Sequence, residues 1–132
     1  MAGKVLDTSV LIAQWRKCGG NSPGDKTSMH AQQWARQLIQ MHDTTAIVTP
    51  VHIEFLAGVT NRHESELARS YLAEFTIIDE GRITETDWKE ALRLAQRIPP
   101  SGKRRQLGDC LIRAISLRLR QDVISFDKGF AE

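Results

Sequence analysis

Cysteine is scarce in this 132-residue chain: Cys18 and Cys110 stand alone, in no CxxC pair and in no cysteine–histidine spacing suited to zinc. That excludes a disulfide framework or a structural zinc site as the source of stability, and makes a reducing cytoplasm the expected setting. Long apolar runs are lacking too. The longest span a few residues, far below the ~20 needed to cross a bilayer, and Met1-Ala2-Gly3-Lys4-Val5 passes straight into a strand-like stretch. Neither a membrane span nor a signal peptide is expected. A strong charge of one sign is the third absence: 18 Lys and Arg face 16 Asp and Glu, a formal +2, too mild to indicate a nucleic-acid partner by itself. His30, His42, His52 and His63 show no zinc spacing and read as surface or packing residues. There is no internal repeat and no low-complexity segment.

What is present is an ordinary globular composition, 41% hydrophobic and 26% charged. A chain of this length buries roughly two thirds of its unfolded surface, so a single domain over residues 1–132 is expected to fold unaided. Residues 4–6 form a short apolar run ending at Asp7, and Val10-Leu11-Ile12-Ala13 continues with helical spacing, which reads as strand, turn, helix. Residues 18–27 carry turn chemistry and are expected to be a loop. From 28 to 41, Ala31, Trp34, Ala35, Leu38 and Met41 recur at three and four, predicting an amphipathic helix with that face in the core. Residues 45–49 predict a second strand. Thr49 then offers an N-cap hydroxyl before Pro50, Val48 and Ile53 occupy staple positions, and Gly58 with Asn61-Arg62 marks the helix end. Leu67, Ala68, Tyr71 and Leu72 predict a further helix, and residues 75–78 a third strand before a turn at Asp79-Glu80-Gly81. After the cap-like Thr84, Trp88, Ala91, Leu92, Ala95 and Ile98 trace a stripe up to Pro99-Pro100, with Trp34 and Trp88 both read as core. Asp109 opens the next helix, and residues 122–126 predict a fourth strand followed by a turn at Asp127-Lys128-Gly129-Phe130. Strands alternating with helices predict parallel pairing through right-handed crossovers, with helices on both faces of a central sheet.

In open parallel sheets, functional groups collect past the carboxyl ends of the strands. Asp7 and Asp127 are each the first acid after an apolar strand, while Glu54 lies in the second turn of one helix and Asp109 at the start of another. Four carboxylates are therefore expected on one rim. At short range they would raise one another's pKa unless a cation sat between them, and magnesium or manganese, which prefer carboxylate and water oxygens, fit such a set. Metal-assisted phosphodiester hydrolysis follows as the expected chemistry. Setting these four aside leaves 12 acids against 18 bases, an excess of six positive charges suited to a polyanionic substrate. Lys103-Arg104-Arg105, just before Asp109, either forms a solvated loop or holds RNA phosphates. Trp15, near the 18–27 loop, is a candidate for base contact or for packing at a dimer interface.

Four segments, Leu6-Asp7-Thr8-Ser9-Val10-Leu11-Ile12, Glu54-Phe55-Leu56-Ala57-Gly58, Gly108-Asp109-Cys110-Leu111-Ile112-Arg113-Ala114 and Ser125-Phe126-Asp127-Lys128-Gly129-Phe130, together resemble PIN-domain nucleases over essentially the whole chain. The likeness is closest to VapC-type toxins of bacterial toxin–antitoxin pairs. It implies a three-layer α/β/α sandwich with a central, mostly parallel sheet of four or five strands, and a magnesium-dependent endoribonuclease. It also implies that Asp7, Glu54, Asp109 and Asp127 bind the metal, that the hydroxyls of Ser9 and Ser125 support the pocket, and that the partners are RNA, a cognate antitoxin and a second copy of the chain. Ser125 stands where the family commonly has threonine, which keeps the hydroxyl. The chain stops at Glu132, where relatives usually continue into one more short strand, so a looser site is expected around Asp127. The rival readings are a non-catalytic PIN-like module that binds RNA or protein, and a phosphoacceptor receiver domain of similar topology. The receiver needs paired acids after its first strand, whereas Asp7 is followed by Thr8.

Overall fold

The computed structural model describes residues 3–20 and 23–127. In chain order the elements are β1 (Gly3–Leu6), α1 (Thr8–Gly19), a 3-10 turn (Pro23–Asp25), α2 (Ser28–His42), β2 (Ala46–Ile47), α3 (Thr49–Ala57), α4 (Arg62–Leu72), β3 (Thr76–Ile77), α5 (Glu85–Ala95), α6 (Leu107–Arg118) and β4 (Gln121–Ile124). The architecture is α/β with parallel strands, as the alternation of elements requires. β1 pairs with β4, Gly3 opposite Gln121 through Leu6 opposite Ile124, and β2 pairs with β3, Ala46 opposite Thr76 and Ile47 opposite Ile77. Three of the strands, β2, β3 and β4, are shorter than the apolar runs suggested, and among the described residues the four form two hydrogen-bonded pairs rather than one continuous sheet of four or five. A two-residue strand has too few backbone groups to build a ladder on both sides. The Thr44 hydroxyl bridges the gap, donating to the Lys4 carbonyl at 2.7 Å and accepting from the Ala46 N–H at 3.1 Å.

The main core gathers Val5, Leu6, Val10, Leu11, Trp34, Leu38, Ile47, Phe55, Leu67 and Tyr71 from β1, β2 and the first four helices. Tyr71 is fully buried and donates from its hydroxyl to the Leu11 carbonyl at 2.8 Å, pinning α4 to α1. Helix α6 is buried nearly all round: Ile112 and Ile115 join the main core, while Cys110, Leu111 and Ala114 pack with Ala91 and Leu94 of α5 in a second, smaller cluster. Because α6 faces both clusters, its position is fixed from two sides.

Several local expectations give way to tertiary contacts. Helix α1 continues through Cys18 to Gly19, and Gly20, at φ 61°, ends it, so the expected loop is shortened; Asn21 and Ser22 lie outside the described residues. Met41 falls off the buried face of α2 and is 61% exposed. Thr49 does not cap α3. Val48 takes the N-cap position without a side-chain bond, and Ile53, 57% exposed, makes no staple with it. Asn61 opens α4 instead of closing α3, accepting from the Glu64 N–H at 2.9 Å.

The largest correction concerns α5. Of the stripe expected to be core only Ala91 is buried: Trp88 and Leu92 are 48% and 61% exposed, Ala95 is exposed, and Ile98, past the helix end at Ala95, is 91% exposed, while the helix buries Asp87 and Leu94 beside Ala91. Trp34, by contrast, is core as expected. The physical reason for the rotation is Asp87. Its Oδ2 accepts from the Thr84 N–H at 2.9 Å, the Thr84 hydroxyl accepts from the Asp87 N–H at 3.1 Å, and its Oδ1 accepts from Arg118 Nε at 2.8 Å. Arg118 also donates to the Arg82 carbonyl at 3.1 Å. A capping box and an ion pair to the last turn of α6 thus point the charged residue inward, where only a paired carboxylate is tolerable.

Burial works against ionisation of Asp87, but the Arg118 and Thr84 donors outweigh it and hold the carboxyl below the usual range. The unfolded chain therefore binds this proton more readily, so the stabilisation is full above the ordinary carboxylate value of 3.8 and fades as the pH falls below it. Asp87→Ala should cost on the order of 3 kcal/mol at neutral pH by leaving Arg118 half-buried without its partner. In urea titrations the gap between Asp87→Asn and the native chain should narrow on acidification. A gap constant from neutral pH to about pH 3 would show that the ion pair is not its source.

Candidate functional site

The pairing of β1 with β4 sets the site. Leu6 lies opposite Ile124, and the next N–H along, that of Asp7, donates to the Ile124 carbonyl at 2.9 Å, so Asp7 and Ser125 leave their strands side by side. Ser125 donates from its hydroxyl to Asp7 Oδ2 at 2.8 Å, and Ser9, in the first turn of α1, donates to the same oxygen at 2.8 Å. Each hydroxyl is itself held by a backbone donor: the Phe126 N–H on Ser9 and the Asp127 N–H on Ser125, both at 3.0 Å. A hydroxyl has one hydrogen, so both are committed to Oδ2. The other oxygen, Oδ1, is buried and has no hydrogen-bond partner, in a residue only 2% exposed.

Asp7 occupies the N-cap position of α1, yet its side chain makes no capping bond. Helix capping therefore does not account for it. Asp109 sits in the first turn of α6, whose N-cap is Gln106, again without a side-chain cap, so Asp109 does not cap the helix it was expected to open. Glu54, partly buried in α3, accepts from the Thr8 hydroxyl at 2.8 Å. Gly108 lies against the same carboxylate: a Cβ built there would stand 2.5 Å from Glu54 Oε2, so only glycine leaves that oxygen its place.

Electrostatics ties the acids together. Burial, and then the charges of Asp7, Glu54 and Asp127, push the Asp109 carboxyl up to about 6 against the opposing pull of Arg113. Glu54 is raised as well, by burial first, with the Thr8 hydrogen bond opposing and Asp7 adding. The four acids therefore act as one electrostatic group, including Asp127, which is exposed at the rim. Among the described residues no three acids are tight enough to clasp an ion as they stand. The chemistry of the donors nevertheless fits a hard divalent cation, because a buried carboxylate oxygen with no donor, beside three further carboxylates, is an arrangement that a cation stabilises.

Residues 4–132 match the model of the PIN domain family. The chain belongs to the PIN domain family. PIN domains are generally metal-dependent nucleases, and PIN nucleases generally bind RNA. No match among curated proteins accompanies this one. In this PIN domain no described helix is long and apolar enough to cross a membrane. Lys103 and Arg104 are exposed on the loop before α6, whereas Arg105 turns back to donate to the Arg97 carbonyl at 2.6 Å, so the basic triplet is split. Trp15 packs edge-on against Trp34, Phe55 and Tyr71, with ring centroids 5.5, 5.3 and 5.1 Å away, and also lines a 380 Å³ groove that includes Glu54. Lys128, Gly129 and Phe130 of the last motif lie outside the described residues.

Three positions escaped the sequence reading. Thr8 and Gly108 were within the motifs but carried no role; their signal was adjacency to an acid. Asp79, read as a turn, is 4% exposed and accepts at 2.9 Å from both the N–H and the hydroxyl of Thr49. It thereby supplies from the end of β3 the cap that α3 lacks, and so fixes the helix carrying Glu54.

Gly108→Ala should leave thermal stability unchanged or slightly higher, since alanine favours a helix by up to about 1 kcal/mol over glycine. It should still lower nuclease activity several-fold, because the carboxylate of Glu54 must move; full activity would show that Glu54 Oε2 has no fixed place. In a chelator, Asp109→Asn should stabilise the protein by about 1 kcal/mol at neutral pH, after discounting for solvent screening of a partly exposed group. The sign follows from the raised folded value: ionising Asp109 costs stability as the pH climbs from 3.8 through about 6, so the advantage of the variant should vanish near pH 4. Equal melting temperatures at neutral pH would argue against the crowding.

Proposed function

We propose that this PIN domain is a metal-dependent endoribonuclease of the VapC type, the toxin of a toxin–antitoxin pair. The observation that carries the reading is Asp7 Oδ1, buried and without a donor beside Asp109 and Glu54, whose pKa values are raised by burial and then by neighbouring acids. Asp7, Glu54, Asp109 and Asp127 would hold magnesium or manganese. Such an ion, when bound, lowers the pKa of a coordinated water and neutralises charge building on the scissile phosphate. The protein's own part is positional. Ser9 and Ser125 keep Asp7 aimed by occupying Oδ2, Thr8 orients Glu54 through Oε1, and Gly108 leaves room for Oε2.

The toxin role rests on the family likeness together with two features. The acid cluster is a ready target for a lysine or arginine from an antitoxin, which would block it by charge. Trp88 and Leu92, four residues apart on α5 and both exposed, offer an apolar surface to a protein partner, with a second copy the expected one.

Cleavage of single-stranded RNA by the native chain should require magnesium or manganese and stop in a chelator. Asp7→Asn, which preserves shape while removing charge, should lower the rate on the order of 100-fold or more. Equal rates in the two proteins would overturn the site. RNA binding without cleavage in either metal would instead fit a non-catalytic PIN-like module. A complex with the antitoxin in which no basic side chain approaches Asp7 would overturn the proposed mode of inhibition.

A further inference from the structure

Beside the acids, α5, α6 and β4 enclose a groove of 420 Å³ whose walls carry Arg93, Arg97, Arg113 and Ser116, with Glu90 and Asp122 among them. Arg105 joins this group, reaching the Arg97 carbonyl and acting by its charge on Arg113. Four guanidinium groups thus meet from α5, the turn after it, the 103–105 loop and α6. Burial, and then Arg105, Arg97 and Arg93, make Arg113 hold its proton less tightly than an ordinary arginine, the mark of like charges crowded together. Glu90 answers Arg93 through two N–H groups, so the groove is not without counter-charge. The second feature is independent of charge. Ser116 is 1% exposed, lines the groove, and its hydroxyl has no hydrogen-bond partner. Buried hydroxyls left unpaired are uncommon, and this one borders a cavity ringed by arginines.

We propose that the groove binds a backbone phosphate of the RNA strand, away from the phosphate that is cut. Planar guanidinium forks match phosphate oxygens two at a time, and a hydroxyl supplies a donor to a further oxygen. Donors converging from three elements suit a tetrahedral anion better than the flat face of a base. The groove is also placed for it: Arg113 follows Asp109 by one turn of α6 and acts on its charge, so a strand lying at the acids passes Arg113 as it leaves them. The identity of the strand as RNA rests on the nuclease reading above; the phosphate site itself does not.

The test is binding of a labelled single-stranded oligoribonucleotide to the full chain in a chelator, over a salt series, followed by cleavage with magnesium. Two double variants remove the same charge: Arg93→Ala with Arg97→Ala in the groove, and Lys103→Ala with Arg104→Ala on the exposed loop. The groove pair should weaken binding about tenfold and flatten the plot of log affinity against log salt by about 0.7 for each phosphate that the protein no longer neutralises, with the loop pair doing much less. Ser116→Ala should weaken binding about two- to fivefold while the melting temperature stays level or rises, since it removes an unpaired buried hydroxyl. Equal losses in the two pairs, with Ser116→Ala binding as the native chain does, would reduce the effect to general attraction and overturn the site. RNA binding unchanged in the groove pair, with loss of binding to a polyglutamate peptide, would assign the groove to an acidic protein segment and overturn it equally. If the native chain cleaves no RNA yet the groove variants lose RNA binding, the phosphate site stands and the nuclease reading falls. Native-like binding and cleavage by the groove variants would do the reverse.

Discussion

Four parallel residue pairs between β1 and β4, extended by the Asp7 N–H on the Ile124 carbonyl, hold together segments more than a hundred residues apart in sequence. Everything at the site follows from that register. A slip of one residue in β4 would carry Ser125 to the other face, away from Asp7. The register is held because Val5 and Leu6 are fully buried and because α6, just before β4, is anchored in both apolar clusters. The core thus does more than stabilise: it sets which hydroxyl meets which carboxylate.

Helix α6 organises charge along its length. Asp109 in its first turn belongs to the acid cluster, Arg113 one turn later belongs to the arginine groove, and Arg118 in its last turn holds Asp87. The three are treated differently. Arg118 and Asp87 neutralise each other and lock α5 to α6, whereas the acids around Asp109 are gathered by sign, and the arginines around Arg113 crowd one another although Glu90 pairs with Arg93. Gathering like charges destabilises a fold unless a ligand of opposite charge completes it, so such clusters mark function more reliably than paired ones. The two clusters also moderate each other, since Arg113 opposes the upward shift of Asp109.

The legible part of the molecule was that in which local pattern and tertiary demand agree. The α2 stripe of Ala31, Trp34, Ala35 and Leu38 is buried as its spacing requires, and Thr84 opens α5 with the capping box its sequence suggests. The four acids can be singled out in the sequence because each follows a recognisable strand or helix start, and the charges of Asp7, Glu54 and Asp127 do act on Asp109. What could not be read was rotation. A helix with apolar residues on more than one face can turn either way, and in α5 the choice fell to Asp87 and Arg118, 31 residues apart, a pairing invisible to periodicity. Thr49 was misread for the same reason: its hydroxyl is claimed by Asp79, 30 residues on, rather than by its own helix. The second and third strands come out short because Val48 already N-caps α3, so that the Ile78 N–H on the Ile47 carbonyl, at 3.0 Å, is the last bond between them.

Apart from Ser9, which lies two residues from Asp7, the supports of the site come from elements other than the ones they serve. Asp79 at the end of β3 caps the helix that carries Glu54, Thr8 of α1 orients that carboxylate, Gly108 of α6 makes space for it, and Ser125 beyond β4 orients Asp7. A carboxylate held only by its own helix would be free to swing away from its like-charged neighbours, and the repulsion would be relieved by disorder. Holding Asp7 and Glu54 from neighbouring elements removes that escape, so the repulsion would persist until a cation relieved it. On the proposed metal-dependent reading, preference for a divalent ion would need no dedicated cage. It would follow from neighbouring negative charges and a buried carboxylate oxygen, Asp7 Oδ1, that has no hydrogen-bond donor.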